Sequence, residues 1–163
     1  MRKTVSAPLI ALLTLSAFSA DRKPLPYPLS ALFYRDWTYG AVNDIFSERY
    51  AVNLKPLNPR IGVPSLSVAS EAFLHSACYS PLRKRTRRAV PSAFFPDDNE
   101  IVVAREHLWK QTGLVAHEFV HYIVYYYSRI HLGEEWEETL ANKVEELFVQ
   151  HMAELDREQA GGE

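Results

Sequence analysis

The sequence predicts an α+β domain in which a short antiparallel or mixed sheet with a hairpin packs on a central helix, and a long helix closes the chain. Three stretches carry that reading. The run from Leu114 to Ile130 is apolar nearly all round, lacks strict alternation and outlasts most strands, so it reads as a buried central helix. Its aromatic and β-branched residues lean towards a strand by propensity, but length and the Thr112-Gly113 boundary argue for a helix. Ala93 to Ala104 places two β-prone segments around Pro96-Asp97-Asp98-Asn99 and reads as a hairpin. From Glu134 to about Glu158, Leu140, Val144, Leu147, Phe148 and Met152 recur at helical intervals, the packed face of a long C-terminal helix.

Composition bounds the rest. A chain of 163 residues, 47% hydrophobic and 23% charged, suits one globular unit with its own core. A formal charge of -2 excludes a general affinity for nucleic acid. The single cysteine, Cys78, excludes an intramolecular disulfide and any Cys-rich zinc module, so a bound metal would take histidine and carboxylate ligands. At the N-terminus Arg2 and Lys3 precede an apolar run from about Val5 to Phe18, followed by Ser19 and Ala20 and then charged residues. That layout predicts a signal peptide over residues 1–20, cleaved near Ser19 or Ala20, and an exported protein, periplasmic or secreted. The run is short for a membrane span, so no stable membrane anchor is expected.

In chain order, Pro24, Pro26 and Pro28 hold residues 21–35 as an extended lead-in, and a single folded unit is expected over residues 36–158. Asp36 to Tyr50 carries Trp37, Ala41, Val42, Ile45 and Phe46 at near-helical spacing. Ile61 to Val68 alternates around Pro64 as a first strand. Ser70 to Tyr79 reads as a short helix capped by Ser70, with His75 and Cys78 as packing residues. The basic run Arg83 to Arg88 reads as a solvated loop. Arg105 to Gln111 links hairpin to central helix, with Trp109 expected to be buried, and residues 159–163 form a frayed tail.

The chemistry concentrates in His117-Glu118-Phe119-Val120-His121. On a helix, His117 and His121 stand one above the other and can share one divalent ion. Glu118 is rotated about 100° from the first imidazole, beside the metal, where it can take a proton from metal-bound water. The competing reading is a pair of core histidines bonded to backbone. Three titratable side chains in an apolar wall are costly unless a cation neutralises them, which favours a metal. One zinc ion is the expected cofactor. Two imidazoles do not complete such a site. The metzincin spacing is absent, because Val124 and Tyr127 stand where its glycine and third histidine belong. His131 and Glu134, Glu135, Glu137 and Glu138 are within reach of the site.

The pairing of His117-Glu118-Phe119-Val120-His121 with Glu138-Thr139-Leu140-Ala141-Asn142 resembles the gluzincin class of metallopeptidases, most of all the compact minigluzincins, which include the ImmA/IrrE-like peptidases. The resemblance covers roughly residues 60–150. It implies a minigluzincin-like domain with His117, His121 and Glu138 as zinc ligands and Glu118 as general base. Asn142, one turn after Glu138, would orient a ligand from behind, and the hairpin strand with Ile101, Val102 and Val103 would lie along the substrate. On a helical projection, however, Glu137 points closest to the centre of the apolar face and Glu138 lies at its edge. Glu134, Glu135, Glu145 and Glu146 read as surface residues. The implied activity is hydrolysis of a peptide or protein substrate. The alternatives are an exported zinc-binding or sensor protein of the same fold with little proteolysis, and a metal-free helical domain whose histidines are incidental.

Overall fold

A computed structural model of the protein describes residues 22–25, 29–77 and 90–160. Residues 1–20, where a signal peptide is expected, Cys78, the basic run 83–88 and the Gly161-Gly162 tail lie outside the described residues. The elements are β1 (Lys23–Pro24), α1 (Ala31–Tyr50), β2 (Ser65–Ala69), α2 (Glu71–Ala77), β3 (Ser92–Phe95), β4 (Glu100–Ala104), a 3-10 segment (Arg105–Lys110), α3 (Gln111–Tyr127) and α4 (Glu134–Ala160). This is the small α+β domain with a long C-terminal helix that the sequence indicates.

The fold is organised around α3, which packs against α1 and α4 and against strands β3 and β4. Contact on several sides explains why its sequence is apolar nearly all round. Leu114, Val115, Ala116, Phe119, Val120, Tyr122 and Ile123 are all buried. In α1 the buried residues Tyr34, Thr38, Val42 and Phe46 recur every fourth position, one stripe against the core. Tyr34 stacks between Phe119 and Phe148, and Trp37 meets Phe148 edge-on, so aromatic rings lock α1, α3 and α4 together.

The sheet runs β1-β2-β4-β3, with β2 and β4 parallel and the other pairs antiparallel. The β3–β4 hairpin forms around the turn read from the sequence, with Asn99 in the left-handed region at φ 47°. Strand β4 is buried on both faces: Ile101 and Val103 join the core around α3, while Val102 and Ala104 pack with Phe73, Leu74 and Val90.

Four expectations need correction. The lead-in is not merely extended chain, because Lys23 and Pro24 pair with Val68 and Ser67 as an edge strand, and Leu25 is buried. The first helix begins at Ala31 and not at Asp36, since Tyr34 adds a further buried turn. Trp109 is 77% exposed, with Lys110 over its ring, because the 3-10 segment turns it away from the core. Ile101, Val102 and Val103 cannot line an extended substrate through backbone pairing, because β4 is interior and hydrogen-bonded on both flanks. The hairpin strand at the sheet edge is β3. Among the described residues, no helix is long and apolar enough to cross a membrane.

Candidate metal centre

His117 and His121 lie on the face of α3 turned to α4, one helical turn apart, with ring centroids 5.2 Å from each other. Their Nε2 atoms face one carboxylate. Glu138 places Oε2 3.6 Å from Nε2 of His117 and Oε1 3.7 Å from Nε2 of His121. The opposite nitrogens are held by two further carboxylates of α4. Nδ1 of His121 stands 2.7 Å from Oε1 of Glu137, and Nδ1 of His117 stands 3.2 Å from Oε2 of Glu145. A carboxylate can only accept, so each Nδ1 is the donor, and in the neutral ring each Nε2 lone pair then points to the shared space.

Glu118 is 5% exposed and its Oε1 accepts a hydrogen bond of 2.7 Å from the hydroxyl of Ser92, the first residue of β3. His117, Glu118 and His121 each offer a donor atom within 4.8 Å of the others, a group that could hold a metal ion. Glu138 lies outside that group of three, but its two oxygens each face one of the imidazoles. Two ligands at about 2.0–2.1 Å from one tetrahedral ion stand roughly 3.3–3.4 Å apart, close to the imidazole–carboxylate gaps seen here and longer than a direct hydrogen bond.

The charge balance also fits a cation. Four carboxylates, Glu118, Glu137, Glu138 and Glu145, crowd two imidazoles. Burial acts to lower the pKa of His117, but the adjoining Glu138 and Glu145 carboxylates and the charge of Glu118 overcome that and push it up to about 10. His121 is raised as well: burial opposes, while the bond to Glu137 and the Glu118 charge prevail. Without a metal, the cluster stabilises protonated imidazoles. A divalent ion supplies the same positive charge in one place.

Glu138 thus lies opposite both Nε2 atoms, while Glu137, nearest the apolar centre of the helical projection, reaches His121 from behind. Asn142 does not occupy the orienting position expected of it. It is exposed, and Glu137 and Glu145 hold the imidazole nitrogens instead. The reason is rotation: Asn142 lies about 40° beyond Glu138, away from the buried stripe of Leu140, Ala141, Val144 and Phe148. Glu145, read from sequence as a surface residue, is two turns after Glu138 and returns to its face. That seven-residue spacing was the signal for it. Ser92 had none, because its link to Glu118 depends on sheet–helix packing. His131 is exposed. Of the four tyrosines near the site, Tyr122 donates to the Gly62 carbonyl, Tyr127 approaches the Tyr122 hydroxyl, and Tyr126 reaches the Pro96 carbonyl. Tyr125 is 62% exposed. No protein-family model, curated protein or solved structure matches the chain.

Proposed function

We propose that this protein is a zinc-dependent peptidase. One observation carries the reading: two imidazole Nε2 atoms and the Glu138 carboxylate converge on one space, and the buried Glu118 stands beside them with one oxygen already engaged by Ser92. His117, His121 and Glu138 would hold the ion, a two-histidine, one-carboxylate set that leaves a position for water or substrate. Zinc bound there supplies Lewis acidity towards a scissile carbonyl and a lowered pKa for water.

The chain's own residues do the rest. Glu137 and Glu145 fix the tautomer and plane of the two imidazoles. Ser92 holds Oε1 of Glu118, leaving Oε2 to take a proton from the attacking water and return it to the departing amine. Among the described residues β3 pairs on one side only, with β4, and its other flank offers backbone groups along which an extended peptide can pair. The apolar run and small residues at the N-terminus support export of the mature chain.

The test is Glu118→Gln in the full chain. Zinc content measured by mass spectrometry stays stoichiometric while turnover of a peptide mixture falls at least about a hundredfold. Unchanged turnover removes Glu118 as the base. Stoichiometric zinc with no cleavage by the unmutated protein leaves the non-proteolytic zinc-binding alternative.

A further inference from the structure

A cavity of about 440 Å³ opens beside the candidate metal centre and shares two of its walls, His121 and Glu137, with it. Its remaining walls are of two kinds. Phe94 of β3, Val124 of α3, and Ile130 and Leu132 of the α3–α4 connection are apolar. Arg129 and His131 of that connection are polar, exposed, and without an ion pair among the described residues. Glu137 is the cavity's carboxylate, and it is engaged with Nδ1 of His121. Arg129 is thus a lining residue that carries a permanent positive charge, and the neighbouring acid is already committed elsewhere.

The geometry points to a substrate subsite for a residue that bears a carboxylate, its apolar stem against Phe94, Val124, Ile130 and Leu132 and its carboxylate on Arg129. This rests on the peptidase reading. Among the described residues β3 pairs only with β4, so a chain laid along its other flank passes Phe94, and a residue entering the cavity there would adjoin the peptide bond next to His121 and Glu138. Arginine suits this role because its planar fork pairs with both carboxylate oxygens. The carboxylate has two sources, a C-terminus or an acidic side chain, and the chemistry recognised is the same.

The experiment uses the full chain carrying Glu118→Gln, loaded with zinc, and reads equilibrium binding by fluorescence anisotropy. Two probe pairs are compared: a fluorescein-labelled Ala-Ala-Ala-Leu peptide as free acid and as amide, and an amidated Ala-Ala-Glu-Ala peptide against its Gln counterpart. In one pair the carboxylate member binds at least about tenfold more tightly, and that pair identifies the source. Adding Arg129→Gln abolishes the gap, and Arg129→Lys restores part of it. No gap in either pair, or a gap that survives Arg129→Gln, overturns the subsite. Failure of the peptidase reading is separate: it appears as absent hydrolysis by the zinc-loaded unmutated chain, whatever the binding gap.

Discussion

Gly113 and Glu145 approach so closely that a Cβ on residue 113 would stand 3.1 Å from both Cγ and Oε1 of Glu145, and 3.2 Å from Cγ2 of Val149. Gly113 is one turn before His117, so the missing side chain lets α4 bring Glu145 to the imidazole. Gly113→Ala displaces that carboxylate. Zinc affinity falls about tenfold in competition with a chelator, whereas Gly40→Ala, in open space on α1, leaves it unchanged. Equal affinity in the two variants removes Glu145 from the control of His117.

Stability of the chelator-treated protein depends on pH with a definite sign. The folded state raises the pKa of His117 from 6.5 to about 10, and His121 moves in the same direction. Folding therefore favours the protonated rings. The His117 contribution is fully present below pH 6.5 and disappears as pH rises through about 10, and the His121 contribution is lost in the same direction. Thermal melting of the metal-free protein shifts to lower temperature across that range. A melting temperature that climbs with pH there contradicts the charge balance described for the cluster.

Ser92→Ala deprives Glu118 of its one described hydroxyl donor. The expected result is full zinc content with turnover reduced roughly tenfold, because a buried carboxylate loses a partner that holds it in place. Turnover equal to the unmutated chain shows that β3 does not orient the base.

Phe148 is fully buried and its ring meets those of Phe33, Tyr34 and Trp37. Phe148→Ala costs about 3–5 kcal/mol, read from the midpoint of urea denaturation. A loss below about 1 kcal/mol means that α1 and α4 are held by something other than this aromatic cluster.

How much of this was legible in the sequence follows from the range of each interaction. The spacing of His117 and His121 is a property of one helix, so their shared face could be read directly. The turn around Asn99 was equally local. The placement of β4 was not, because its parallel partner β2 pairs Ser65 with Glu100 across the whole α2 region. Without that pairing, Ile101 to Val103 look like an edge. The division of roles between Glu137 and Glu138 depends on how α4 crosses α3, which a single-helix projection does not contain. Trp109 was misread because its exposure is set by a 3-10 segment and not by its hydrophobicity.

The side chains gathered at the centre come from Ser92, His117, Glu118, His121, Glu137, Glu138 and Glu145, a consecutive portion of the chain. On the proposed reading, a polypeptide still being synthesised past residue 121 already carries both imidazoles and the base, yet has no carboxylate from α4 to close the grip. The grip on an ion is thus a property of the packed pair α3 and α4, and not of the histidine-bearing helix alone.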